Sequence, residues 1–509
     1  MNPSRYYFNS RNYSARHTVF ALFCLLLGYL FSRFSPVSTY PAAAFGQILI
    51  LLIAALVVIK PKKQPLTCHC WCCSVMVFLL ACGVILSGSA WVASIAFHLA
   101  LATVCYMVSA EYGNRIEKGF SNFIYLDYIR ALLLPFRALL AIFEALFNKR
   151  SGKGAHYFGK AVLGIGLAIL PTVIIFAILS YDSGFLSIME SIFSFDEESF
   201  FNFILDLHTG VFFGMYLFGL FIAAGGRYIK DTMTAQSCSN GLARVKILPQ
   251  ITALSASLPI LFMYVVFFIS QWKYYVSGFT GILPENLSYA EYAREGFFQL
   301  CTVSAINLFI IVLFALFIRQ GNSGKAPVLK LLSSTFCLFT LVLIATAVSK
   351  LVMYINFYGM TLKRLCAMWA MVVIGLVFLI IALGQFLRRF KTVTICLCIT
   401  GILFGVLCLS NPNALVARYN ADRYLSGTLQ QLDVDAMEDL GVSAVPAMAY
   451  ILENADPDPH KPLPKDLSQI LSYLLNISDE YSKGESSFLN YNIPDYLAMH
   501  ALQELGLLK

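Results

Sequence analysis

The chain has 509 residues, of which 59% are apolar and only 13% are charged. Water-soluble domains average roughly 45–50% apolar and about 25% charged residues, so a soluble fold is excluded for most of the chain. Residues 1–410 carry 30 basic and 14 acidic side chains, in loops between apolar runs, and residues 411–509 carry 6 and 14; this distribution fits membrane orientation and excludes nucleic acid as a partner.

Eleven apolar runs predict membrane-spanning helices. A helix of about 20 residues crosses the roughly 30 Å hydrocarbon layer and satisfies its own backbone hydrogen bonds, which lipid cannot do. The predicted fold class is therefore all-α, a polytopic transmembrane bundle with a small C-terminal helical module outside the membrane. In chain order the spans are predicted near 17–35, 43–59, 71–88, 90–110, 158–180, 208–226, 249–271, 297–318, 328–349, 366–387 and 392–410.

Two amphipathic stretches lie between these spans. Residues 122–148 mix apolar runs with charges and predict an interfacial helix on the inner face, kinked at Pro135. Residues 184–207 predict a floating connector on the outer side, with a cap over the space between the helices as the alternative. We divide the chain into residues 1–157 (four spans and the interfacial helix), 158–410 (seven spans) and 411–509 (the acidic tail).

The distribution of basic residues predicts orientation. Cytoplasmic loops are enriched in Lys and Arg, and alternating spans place most basic residues of this chain on one side. We therefore expect a cytoplasmic-membrane protein with the N-terminus inside and the C-terminus outside. Lys350, Lys363 and Arg364 fall on the opposite side, so either that segment has a function or the span count is wrong by one. A cleaved signal peptide over residues 1–44 is the alternative to a first span.

The tail predicts three helices. Asn411-Pro412 supplies an N-cap and a first-turn proline for a helix that ends near Gly427. A second helix is predicted from near Asp433 to residue 454, and a third over about 466–477. Several predicted outer-face segments resemble an uncharacterised bacterial multi-pass membrane family of the DUF4173/DUF4153 type, namely residues 284–300, 354–365, 411–425 and 444–447.

That resemblance covers about residues 160–455 and implies many spans followed by a polar helical tail. The family has no known activity, so the resemblance assigns no functional residue. The first four spans have no counterpart in it.

Two outer-face segments carry candidate site residues. Residues 291–295 place acids and a base within one helical turn, as a charged ligand site would; a helix N-terminus with an interfacial arginine is the alternative. Residues 350–364 place three bases and several aromatic residues outside, and we expect acids of 182–206 or of the tail to complement them in a polar pocket or docking surface. An aromatic belt is the alternative. The candidate polar site comprises Glu291, Tyr292, Arg294, Glu295, Lys350, Tyr354, Asn356, Lys363 and Arg364.

Other motifs predict little chemistry. The cluster Cys68, His69, Cys70, Cys72 and Cys73 is the nearest candidate for a metal site, but structural zinc normally takes two separated ligand pairs. We therefore interpret these residues as thiols at a membrane boundary and predict no metal and no cofactor, with metal binding or lipidation as the alternatives. No Walker, GxGxxG, HExxH or GxSxG motif is present in the sequence.

Polar and small residues within spans form a separate group. His98, Gln47, Asn307 and Gln385 are isolated in the sequence, and no acid lies mid-span, which disfavours an ion-coupled pump. The glycine pairs 210/214 and 401/405 permit close helix packing.

Three functional hypotheses remain. The first is a non-enzymatic envelope protein that transports, senses or scaffolds and that contacts the lipid bilayer, with an envelope protein or lipid-linked ligand at its outer face. The second is a membrane-embedded transferase or hydrolase acting on a lipid-linked substrate, with Glu291 or Glu295 as general acid or base. In the third, the tail binds a secreted or wall-associated partner.

Overall fold

A computed structural model gives the fold of the chain. It describes isolated positions between 164 and 188, residues 13 and 272, and the ranges 15–34, 39–59, 66–117, 121–147, 197–225, 233–270, 289–319, 327–387, 390–429, 431–455, 463–483 and 491–508.

Within those ranges ten helices are long and apolar enough to cross a membrane. This confirms the all-α polytopic prediction; the predicted span 158–180 and most of the predicted connector lie outside the described residues. The spanning helices are α1 (Ala15–Arg33), α2 (Pro41–Ile59), α3 (Cys68–Leu86), α4 (Ala90–Glu111), α7 (Glu197–Gly225), α9 (Gln250–Ser270), α10 (Tyr289–Phe317), α11 (Pro327–Tyr358), α12 (Leu362–Phe386) and α13 (Thr392–Leu409).

Lipid contact explains what these helices expose. Large apolar side chains such as Val57, Phe262 and Ile269 are 66–71% exposed in the isolated chain. A water-soluble protein would not present so many, whereas hydrocarbon is as apolar as the side chains themselves. The protein is therefore a multi-pass membrane protein in contact with the bilayer.

Glycines determine how closely α1 and α7 approach each other. A Cβ added to Gly28 would overlap the carbonyl oxygen of Gly210, and one added to Gly214 would lie 2.8 Å from the carbonyl oxygen of Cys24. The predicted packing role of the 210/214 pair is thus confirmed. Gly405 differs, because an added Cβ there would meet no atom within 4 Å.

The interfacial segment is a broken helix, as Pro135 predicts. It consists of α5 (Ile124–Leu133), a 3-10 turn (Leu134–Ala138) that contains Pro135 in its first turn, and α6 (Ala141–Leu146). The turn packs against α7, where a Cβ on Gly219 would lie 2.6 Å from the carbonyl oxygen of Pro135.

The two ends of the bundle are distinct. At the end that we call the basic face, the Thr394 hydroxyl donates to the Ser121 carbonyl (2.6 Å) and Lys391 pairs with Glu117 (3.5 Å). The short helix α8 (Ala235–Val245) also lies at this end, where the Ala235 amide donates to the Ile116 carbonyl. The opposite end, which we call the tail face, carries the C-terminal module.

That module has its own apolar core. Its helices are α14 (Pro412–Leu425), α15 (Val434–Glu438), α16 (Val445–Asn454), α17 (Lys465–Lys483) and α18 (Ile493–Glu504). The core side chains are under 2% exposed and include Val416, Met437, Met448, Ile451, Ile470, Leu474 and Leu502.

Two predictions for the module need correction. The second helix is not continuous from Asp433 to residue 454, because Gly441 takes a positive φ of 64° and a 3-10 turn (Gly441–Ala444) separates α15 from α16. Helix α18 was missed, although Asn492 and Pro494 are an N-cap and a first-turn proline that signal a helix start.

Candidate functional site

The turn between α11 and α12 lies at the tail face, where the C-terminal module contacts it. Helix α11 has 32 residues, against about 20 needed for a crossing, so it extends beyond the hydrocarbon layer. It ends at Tyr358 and is followed by Gly359, whose φ of +79° is a left-handed conformation that glycine adopts without strain. Thr361 then caps α12 by accepting a hydrogen bond from the Arg364 amide.

Arg364 closes the C-terminal end of α11. Its guanidinium lies 3.9 Å from the ring centroid of Tyr354 and donates to the carbonyl oxygens of Tyr358 and Gly359. The last carbonyls of a helix lack internal donors and carry partial negative charge, so a cation is stabilised there. We expected acids of 182–206 or of the tail to complement Arg364; most of 182–206 lies outside the described residues, and within them the guanidinium binds carbonyl oxygens and an aromatic ring.

The C-terminal module docks on this same turn through Asn420. The Asn420 Oδ1 accepts from the Met360 amide at 2.7 Å, and its Nδ2 donates to the Met360 carbonyl at 2.8 Å. Asn420 is buried, so both backbone groups of Met360 obtain partners in a site that excludes water.

Arg423 makes a second connection between the module and α11. Its Nη1 donates to the Ile355 carbonyl (3.2 Å) and its Nη2 to the Asn356 carbonyl (3.0 Å). The guanidinium therefore binds two further carbonyls near the end of α11, of which that of Ile355 also accepts from the Gly359 amide. Two arginines from different parts of the chain thus cap one helix, and one of them belongs to the module.

A separate contact joins the module to the loop between α3 and α4. The Asn411 Oδ1 accepts from the Gly88 amide (3.3 Å) and from the Ala414 amide (3.2 Å), while the Asn413 Nδ2 donates to the Gly88 carbonyl (3.0 Å). Asn411 has a φ of 45°, a left-handed conformation that asparagine tolerates better than most residues. The module is anchored at two points of the tail face.

The structure brings some of the predicted site residues together. The end of α11 brings together Tyr354, Asn356 and Arg364. Asn356 takes part through its main-chain carbonyl oxygen and not through its side chain. Lys363 is exposed one residue before Arg364, and Lys350 is half-buried two turns before the end of α11. Glu291, Tyr292, Arg294 and Glu295 are helical within α10, but their side chains lie outside the described part of the protein, so their role is still a prediction.

Sequence reasoning missed the anchoring residues Asn411, Asn413, Asn420 and Arg423. A signal was available, because they fall in residues 411–425, which carry the family resemblance together with 354–365. The two segments contact each other in the structure.

The cysteine cluster lies at the basic face, at the start of α3. Cys70 and Cys73 are buried and Cys68 and Cys72 are exposed, all as free thiols. His69 Nε2 lies 3.0 Å from the Tyr106 hydroxyl and its Nδ1 lies 3.8 Å from the Cys73 sulfur. Among the described residues no three His, Cys, Asp or Glu side chains are arranged to hold a metal ion.

Asp127 in α5 is a buried carboxylate at the same face. It accepts from the Ile116 amide at 3.1 Å and pairs with Arg130 at 3.8 Å. Burial raises the pKa of Asp127 above its ordinary value, and the Ile116 amide and two arginines oppose that shift. These contacts hold the chain after α4 against the interfacial segment.

Asn307 is not isolated, contrary to its appearance in the sequence. Its Oδ1 accepts from the Tyr264 hydroxyl (2.7 Å) and its Nδ2 donates to the Thr340 hydroxyl (2.9 Å), so three spans share one hydrogen-bonded group. Gln47 and Gln385 donate to the carbonyls of Leu30 and Ile381. The Asn307 and Gln47 bonds join separate spans, as interhelical hydrogen bonds in lipid do, whereas the Gln385 bond lies within α12.

A family model matches most of the chain, over residues 74–451, and its family is described as a domain of unknown function, DUF4153. The chain belongs to the DUF4153 family. No curated protein and no solved structure matches it. In this DUF4153 protein the matched region begins within α3, well before residue 160 where we expected the resemblance to start, and ends within α16. It thus includes both anchor points of the module, whereas residues 68–73 with the cysteine cluster precede it.

Proposed function

We propose that this protein is a non-enzymatic transport, sensing or scaffolding protein of the cytoplasmic membrane. In this proposal the N-terminus lies inside, the C-terminal module lies outside, and the outer face contacts an envelope protein or a lipid-linked ligand. Residues 1–157, 158–410 and 411–509 form its three parts.

The observation that supports the proposal most is the attachment of the module to the α11–α12 turn. Asn420 and Arg423 bond only to main-chain groups of residues 355–360 within this attachment. Main-chain groups cannot move without the helices that carry them. The position of the module therefore depends on the arrangement of α11 and α12, as a sensor or a scaffold requires.

The test is complementation of a strain that lacks the gene, grown under osmotic or detergent stress. We expect the double variant Asn420→Ala, Arg423→Gln to lose complementation while its amount in the membrane stays normal. The double variant Glu291→Gln, Glu295→Gln should retain most of it, because a scaffold loses function gradually when individual charges are removed.

The same experiment distinguishes the enzyme alternative. An enzyme that uses Glu291 or Glu295 as general acid or base would lose nearly all function in the second variant. That result, together with full complementation by the first variant, would contradict the proposal and favour a transferase or hydrolase.

A further inference from the structure

A small cleft lies where the module meets the ends of the spans. It has a volume of about 160 Å³. Among the described residues its polar lining is Asn411, Arg418 and Ser443, and part of its apolar lining is Pro446, Pro494 and Leu497. Asn411 lies two residues after the end of α13 and bonds to Gly88 between α3 and α4, so the cleft is placed at the height of the membrane surface.

Ser443 supplies the first sign that the cleft has a ligand. The residue is 3% exposed, and no residue that the structure describes forms a hydrogen bond with its hydroxyl. A buried hydroxyl without a partner is costly and uncommon in folded proteins. Since Ser443 lines the cleft, a ligand bound there is the natural partner for its hydroxyl.

Arg418 supplies positive charge at the same place. Its guanidinium stacks 3.7 Å from the ring centroid of Tyr450, and its Nε pairs with Asp422 at 3.1 Å. Neither terminal nitrogen hydrogen-bonds to a described residue. Arg418 is thus held in one orientation with two donor groups to spare, an arrangement that suits an anion with several oxygens.

The remaining polar residue is also a donor. The Oδ1 of Asn411 already accepts two amides, which leaves its Nδ2 to donate. The described lining of the cleft contains three donors and no carboxylate, opposite an apolar wall that includes Leu497, which is 46% exposed. This combination matches a molecule with an anionic head and an apolar body.

We propose that this cleft binds the phosphate of a phospholipid headgroup from the leaflet at the tail face. Arg418, Ser443 and Asn411 would donate to the phosphate oxygens, with the glycerol and acyl part beside Leu497. Lipid binding in this cleft would add a ligand to the proposed function. It rests on that function in one respect, the assignment of the leaflet at the tail face as the outer leaflet.

The test uses the full-length protein in detergent, titrated with phosphatidylglycerol and followed by native mass spectrometry. We expect one saturable lipid whose affinity falls about tenfold or more in Arg418→Gln and in Ser443→Ala, since each loses a hydrogen bond to a charged group. Diacylglycerol with the same acyl chains should not bind at this site. Inorganic phosphate should compete far more weakly than the lipid.

Two features keep the result interpretable. Ser443→Ala removes no hydrogen bond within the protein, so its thermal stability without lipid should be equal to or above that of the wild type. Arg33→Gln is the matched control, because Arg33 is 52% exposed like Arg418, pairs with one aspartate, Asp206, and lies at the end of α1.

Unchanged affinity in both cleft variants would overturn the inference. Equal affinity for inorganic phosphate and for phosphatidylglycerol would overturn its assignment to a lipid. Neither result depends on complementation by the Asn420 and Arg423 variants, so the inference and the proposed function can fail separately.

Discussion

Asn420 shows how one side chain can determine where a whole module lies. An asparagine amide offers a donor and an acceptor side by side, which matches the amide and carbonyl of a single peptide residue. Here that residue is Met360, in the turn that Gly359 makes possible. A substitution at Asn420 therefore leaves two backbone groups without partners at an interface that water does not reach.

We expect Asn420→Ala to destabilise the docked module by about 2–4 kcal/mol, because two buried hydrogen bonds are lost together. Hydrogen exchange of residues 359–361 and 412–425 in the full-length protein would measure this as faster amide exchange. Asn454→Ala is the control, since Asn454 is exposed and its described hydrogen bond is to the Tyr450 carbonyl within its own helix. Equal exchange in the two variants would contradict the docking role of Asn420.

At the scale of helices, the α1–α7 pair and the Asn307 group show two ways of joining spans in lipid. Hydrocarbon surrounds apolar helices as favourably as other helices do, so association relies on close packing and on hydrogen bonds. Close packing is provided by Gly28, Gly210 and Gly214. Interhelical hydrogen bonds are provided by Tyr264, Asn307 and Thr340.

We expect Gly28→Ala to destabilise the α1–α7 pair by about 1–3 kcal/mol, because the new methyl group would overlap the backbone of α7 and force the helices apart. Thermal unfolding of the protein in detergent would show a lower midpoint. Gly405→Ala should leave the midpoint unchanged or raise it slightly, since its Cβ meets open space and alanine favours helix. A similar decrease in both variants would refute close packing as the cause.

For the whole molecule, the contacts at the two ends agree with alternating spans. The module reaches both the α3–α4 loop and the α11–α12 turn, while the segments after α4 and before α13 meet at the basic face. Because the α3–α4 loop and the α11–α12 turn both contact the module, the spans between them must return the chain to the tail face.

We expect tags placed at the first and last residues to lie in opposite compartments, because eleven crossings are an odd number. Protease protection or impermeant labelling of intact cells measures this directly. A tag in residues 60–65 should share the compartment of the N-terminus. If both termini proved accessible from one side, the predicted span 158–180 would have to be abandoned.

Hydropathy alone determined that this chain is an all-α membrane protein, and local capping signals determined where the module begins. Both follow from short-range physics: hydrocarbon demands about 20 apolar residues per crossing, and Asn411-Pro412 starts a helix wherever it stands. The sequence also predicted that the glycine pair at 210/214 permits close helix packing. It could not predict that the space beside Gly405 is open, since that depends on where the neighbouring helices lie.

Only the tertiary structure decided what the polar residues of the tail face do. Arg364 falls on the side of the membrane where basic residues are not expected, yet it caps the end of α11. That role depends on how α12 returns toward α11. Asn420 lies 60 residues from Met360, and Ser443 lines a cleft with residues from α14 and α18. Such contacts join distant parts of the chain, so no local pattern encodes them, and the burial that gives them their energy exists only after folding.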